Sequence, residues 1–131
     1  MKLMLDEPGS DEARGLHRTA TWIVSSRLLI PEVSAALGRA RRTGRLVGRS
    51  WTAALTELRE LIDEVVPIEV TPSLAEAAAD VAIAHDLRAY DAVHLATYAN
   101  VDDDDSILVA TDGELLRAAR VIGYTVAVPG A

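Results

Sequence analysis

The sequence predicts an α/β fold, an open and mostly parallel sheet flanked by helices. Apolar residues at helical spacing alternate along the chain with apolar runs of strand length. The run ILVA at residues 107–110 is continuous, as expected of a buried parallel strand. Strand, helix and strand then succeed one another towards the C-terminus, which implies right-handed crossovers. The 131 residues read as a single domain, 1–131, long enough to bury a core without staples.

Each element has a local reason. Ser10 is a candidate N-cap for a short helix over residues 11–19, and a brief strand is expected near 21–24. Over residues 27–42 Leu29, Val33, Leu37 and Ala40 recur at helical spacing, with Pro31 in the first turn and Thr43-Gly44 as the stop. From Trp51 a stripe of Trp51, Leu55, Leu58, Ile62 and Val65 leaves Glu57, Glu60, Asp63 and Glu64 outside. VVPIEV, residues 65–70, is a strand candidate that Pro67 confines to an edge or a strand start. Thr71-Pro72 opens a helix as N-cap and first residue, with Leu74, Ala77, Ala78 and Val81 inward. A helix rich in small residues is expected over 88–99. After the strand at 107–110 another helix starts at Asp112 and stops before Gly123, and residues 124–128 form the last strand.

Composition excludes several classes. With no cysteine there is no disulfide, thiolate zinc site or cysteine nucleophile, which fits a reducing compartment. No apolar run approaches the roughly 20 residues of a membrane span. The opening MKLMLDEPGSDE turns acidic too early for a signal peptide, so the expected location is cytoplasmic. A net charge of −7 argues against a general nucleic-acid-coating protein. Arg39, Arg41, Arg42, Arg45 and Arg49 nevertheless form a patch without acids, suited to local phosphate contact or to a solvated helix end. Asp102 to Asp105 lack the spacing of a calcium loop and read as a solvated turn. The five aromatics are too scattered for a stacking platform. Neither a glycine-rich phosphate loop nor a G-x-S-x-G elbow is present.

Chemistry therefore falls to carboxylates. Glu32 in LLIPEVSAAL, Asp91 in LRAYDAVHLATY and Asp112 in ILVATDGELLRAA each lie near the start of an apolar-patterned helix. Asp112 comes two residues after its strand, where open α/β sheets gather function. Hard oxygen ligands from distant segments are what a Mg²⁺ or Mn²⁺ phosphodiesterase site requires. Simpler roles stand beside this one. Asp112 can cap its helix, and Asp91 can balance the helix dipole or pair with Arg88. Glu32, between Ile30 and Val33 beside a proline, is harder to place as a surface residue. His94 shares a helix face with Asp91 and can orient it or a phosphate, or serve as an ordinary buried histidine.

These three segments, in this order, resemble a PIN-domain ribonuclease, specifically a VapC-type toxin of a bacterial toxin–antitoxin pair. YDAVHLATY and VATDGELLRAARVIGYTV carry most of the likeness, and LDEPGSDEA near the start adds to it. The resemblance implies a small PIN-like α/β domain that holds Mg²⁺ or Mn²⁺ and cleaves structured RNA. It implies Glu32, Asp91 and Asp112 as the metal-holding, catalytic acids, a cognate antitoxin as partner, and a homodimer. Such proteins open with an apolar strand ending in aspartate, and a helix start comes next. Here Met1-Lys2-Leu3 resembles the end of that helix start, so the first strand and its acid are expected upstream. Asp6 matches the ordinary LDEPGS stretch instead. Two other readings stay open: a non-catalytic PIN-like binding or dimerisation module inactivated by truncation, and a phosphatase of the haloacid-dehalogenase type, suggested by TDGEL after a strand.

Overall fold

The computed structural model describes Glu12, Gly15 and residues 23–101, 106–110 and 112–129. Asp6, His17, Trp22 and the Asp102 to Asp105 turn lie outside them. So does the helix expected over 11–19, except for Glu12 and Gly15, both helical. The chain divides into two compact units, Met1–Pro67 and Ile68–Ala131.

β1 (Val24–Ser26) pairs with β2 (Val66–Ile68), whose first two residues end the first unit, and the Val66 amide donates to the Ile23 carbonyl at 2.8 Å. Ser26 ends β1 with its side chain buried, and its hydroxyl accepts from the Leu28 amide at 3.2 Å, which turns the chain into α1 (Leu29–Arg42). α2 (Gly48–Glu64) starts three residues before the stripe that predicted it. The cause is Ser50, whose hydroxyl accepts from the Val47 amide at 2.9 Å and donates to the Val47 carbonyl at 2.7 Å. This satisfies groups that a helix start leaves open. Val33, Leu37 and Ala40 of α1 pack with Leu46 and Ala54, and Leu29, Trp51 and Leu58 lie against them. Ile62, expected inward, is exposed.

The second unit holds α3 (Pro72–His85), α4 (Ala89–Val101), β3 (Leu108–Val109), α5 (Gly113–Ile122) and β4 (Val126–Ala127). Thr71 caps α3 as expected, its hydroxyl accepting from the Leu74 amide at 3.2 Å, with Pro72 in the first turn. The core joins Leu74 and Ala78 of α3, Leu87, Ala92, Leu95 and Ala96 around α4, and Leu115, Ala118 and Ala119 of α5. Four of these are alanines with no more than 3% exposure (Ala92, Ala96, Ala118 and Ala119), small enough for helix backbones to approach closely. β3 and β4 run parallel, Leu108 opposite Val126 and Val109 opposite Ala127.

Two further expectations change. Ala77 is exposed, and Ala82 takes the inward place instead, because the buried line runs Leu74, Ala78, Val81 and Ala82. The 107–110 strand is parallel but only half-buried. Leu108 and Ala110 face the core, whereas Ile107 and Val109 are 49% and 47% exposed. Alternate residues of a strand point to opposite faces, and among the described residues this unit's helices cover one face only.

Three helices end alike, each with an amide bonded to a carbonyl five residues back: Arg45 to Ala40, Leu87 to Ala82 and Tyr124 to Ala119. Such an end needs a residue in the left-handed region. Gly44 and Gly123 supply it at φ +80° and +101°, and Asp86 at φ +52°. Of the three, Asp86 is therefore the strained substitute, although aspartate tolerates that region better than most residues. Asp86→Val should cost about 1–2 kcal/mol, whereas Asp86→Gly should leave stability equal or higher. Urea unfolding of both variants measures this.

Candidate active site

Asp112 ends the segment after β3 in an extended conformation and caps α5. Its Oδ1 accepts from the amides of Glu114 at 3.0 Å and Leu115 at 3.1 Å. The capping role foreseen for it is thus present, and it occupies one carboxylate oxygen. The other, Oδ2, accepts from Nη2 of Arg88 at 3.1 Å. The Asp112 side chain is about one-third exposed (36%).

Asp91 stands in the first turn of α4 and is 8% exposed as a residue. A charge so buried is expensive without a partner. Its Oδ2 accepts from Nε of Arg88 at 3.4 Å, three residues back, which is the pairing the spacing allowed. One guanidinium therefore serves both acids, using a different nitrogen for each. Arg88 itself reaches in from solvent, its side chain 78% exposed. The acids also stand at the N-termini of two helices, where the backbone's partial positive charge favours anions.

Behind the pair, the Nη2 of Arg117 on α5 donates to the carbonyl of His85, the last residue of α3, at 2.6 Å. Nε and Nη2 of Arg117 also donate to Glu114 Oε2 at 3.1 Å and 2.9 Å. The loop carrying Arg88 is thereby tied to the helix that Asp112 caps. His94, one turn beyond Asp91, is half-buried and sets its ring edge-on to Tyr90 at 4.3 Å between centroids.

Glu32 lies in the first turn of α1 in the first unit, and it is exposed. Within the second unit, among the described residues, no third His, Cys, Asp or Glu joins Asp91 and Asp112 in a group able to hold an ion. The arginine patch is also in the first unit. Arg39, Arg41 and Arg42 occupy the last turn of α1, a favourable place for cations, and Arg45 and Arg49 flank the start of α2. All five are exposed, and the Arg41 guanidinium lies 4.8 Å from the centre of the Trp51 ring. That contact gives Arg41 a structural role as well.

Sequence spacing offered the bond from Arg88 to Asp91 but gave no sign of the one to Asp112, because a separation of 24 residues carries no local signal. Capping and charge at Asp112 are separable. Asp112→Asn keeps an acceptor for the two amides, whereas Asp112→Ala removes it. The alanine variant should lose about 1 kcal/mol and the asparagine variant only a few tenths, as read by urea unfolding.

Comparison with known proteins gives this geometry its context. Residues 1–121 match the family model of the PIN domain. The chain is 35% identical over 127 residues to Ribonuclease VapC45 of Mycobacterium tuberculosis (strain CDC 1551 / Oshkosh), which covers 97% of this chain and 88% of that protein. Ribonuclease VapC49 of strain ATCC 25618 / H37Rv gives the same figures. Ribonuclease VapC46 of that strain is 33% identical over 129 residues, 98% of this chain and 91% of the relative. With the family model spanning nearly its whole length, and carboxylates gathered where two of its helices begin, the chain belongs to the PIN-domain family and is of the VapC type.

Proposed function

We propose that the chain is a metal-dependent endoribonuclease, the toxin of a toxin–antitoxin pair, using Mg²⁺ or Mn²⁺ held by Glu32, Asp91 and Asp112. The observation that carries this reading is the convergence of Asp91 and Asp112 on one cation, Arg88. The VapC relatives are named as ribonucleases, and their identity over nearly the whole chain supports carrying that activity here.

The residues fit a divalent ion in kind. Asp91 and Asp112 offer hard anionic oxygens, and their Oδ2 atoms already share a positive group. Asp112 is held by its two amide bonds, which fix the carboxylate through Oδ1 and leave Oδ2 to the Arg88 guanidinium. Burial in the first turn of α4 restricts Asp91. Glu32, in the first turn of α1, is the third acid of the proposed set and offers the same kind of oxygen donor. When bound, the ion supplies a water of lowered pKa and positive charge for the leaving oxygen. The exposed guanidiniums of Arg39, Arg42, Arg45 and Arg49 would engage the phosphate backbone, with Arg41 contributing from its place over Trp51. The partners in this reading are RNA, a cognate antitoxin and a second copy of the chain, in the cytoplasm. No described helix is long and apolar enough to cross a membrane.

Asp91→Asn is close to isosteric and removes one charge. Mn²⁺ affinity should fall by at least the roughly 10–100-fold typical of residues that merely support a ligand, and RNA cleavage should fall with it. Glu32→Gln should do the same. Calorimetric titration with Mn²⁺ reads the first effect, and unchanged affinity in Asp91→Asn would remove the site. For the patch, Arg39→Ala with Arg42→Ala should lower the salt slope of RNA binding by roughly 0.7 for each phosphate no longer neutralised and leave Mn²⁺ affinity alone. A fluorescence titration at several salt concentrations measures it.

A further inference from the structure

We propose that Arg88 is a built-in counter-cation: its guanidinium occupies the position between Asp91 and Asp112 that a divalent ion would take, and it must withdraw for the ion to bind. The inference rests on the metal reading above, in which Arg88 only marks where the two acids meet, and gives that residue a role of its own.

Three observations lead to it. First, the contested atoms are the same. Asp112 has committed Oδ1 to the amides of Glu114 and Leu115, so Oδ2 is the oxygen it can offer an ion, and Oδ2 is the atom Arg88 holds at 3.1 Å. On Asp91, too, Arg88 is bonded to Oδ2. Second, the bridge is longer-range than a helix start requires. Pairing with Asp91 at i,i+3 would satisfy a local role, yet the guanidinium also spans 24 residues to Asp112. Third, Arg88 approaches from solvent, with 78% of its side chain exposed. An arginine so placed can return to water, and the cost of leaving the buried Asp91 without a partner is removed when an ion takes its place. A guanidinium offsets one of the two negative charges, whereas a divalent ion offsets both. Two carboxylates in reach of one cation repel each other when it is absent. Arg88 thus keeps the pair together without metal and raises the concentration of metal needed to load it.

The test uses the full chain and Mn²⁺ alone. Arg88→Met keeps length and removes the charge. Its Mn²⁺ dissociation constant should fall about tenfold, while metal-free thermal stability drops and the drop narrows as Mn²⁺ is added. Arg88→Lys, which keeps a positive charge, should bring the affinity back towards that of the original chain. A residue that only supports the helix start would lower stability in Arg88→Met and leave Mn²⁺ affinity unchanged or weaker, which would overturn the proposal. A second readout needs no substitution. In the unaltered chain the Arg88 Nε–H resonance should shift as Mg²⁺ is added, in step with metal binding measured by calorimetry. Metal binding with that resonance unmoved would also overturn it. Asp91→Asn separates the two levels of inference. If the chain binds Mn²⁺, loses it in Asp91→Asn and is indifferent to Arg88→Met, the counter-cation fails and the metal reading stands. If neither the original chain nor Arg88→Met binds Mn²⁺, both fail.

Discussion

Two carboxylates that stand at the beginnings of two different helices can remain near each other only if something positive stands with them. In this chain that group is the guanidinium of Arg88, which gives one nitrogen to Asp91 and another to Asp112. It links the starts of two helices of the second unit. The N-terminus of α4 and the capped start of α5 are held to a common point. Behind them, alanines at Ala92, Ala96, Ala118 and Ala119 allow the helices to close up. Arg117 adds a second tie, from α5 to the end of α3. The charged cluster therefore stands at the ends of helices packed through a core of leucines and alanines.

Much of this was legible in the sequence wherever the chemistry is local. Thr71-Pro72 and Asp112 announce helix starts because a cap and its amides lie within three residues, and Thr43-Gly44 announces a stop for the same reason. The sequence marked Glu32, Asp91 and Asp112 as residues out of place at the starts of apolar helices. Asp91 and Asp112 meet at Arg88, whereas Glu32, expected to be hard to place at the surface, is exposed in the first unit. Long-range facts were not legible. Nothing in the sequence says that Arg88 reaches Asp112, that Ala82 rather than Ala77 turns inward, or that Val109 of β3 is half-exposed. Each depends on which surfaces meet after folding. Asp86 escaped notice for a different reason. It takes the place of glycine at a helix end without being one, so the usual signal was missing.

TDGEL after a strand shows how far a local pattern reaches. Strand, aspartate and capped helix serve several kinds of phosphate chemistry, so the segment alone fits a phosphatase as readily as a nuclease. Agreement with the PIN domain over residues 1–121 removes that ambiguity, because it spans nearly the whole chain rather than one segment. The arginine patch is similarly double. Its placement at the last turn of α1, with Arg41 against Trp51, meets a structural need and leaves exposed positive charge available for a polyanion.

The connection between α3 and α4 is only three residues long, and each of them is fixed by something different. Asp86 holds a left-handed turn, Leu87 is buried with its amide bonded to Ala82, and Arg88 is bonded to two acids. Most surface loops accept extra residues over evolutionary time at small cost. This one has a set length. A single inserted residue would turn α4 by about 100° relative to what precedes it and carry Asp91 off the face it shares with Asp112. Among relatives of this chain, variation in length should therefore collect elsewhere, and this short corner should read as a ruler whose spacing outlasts the identity of the residues around it.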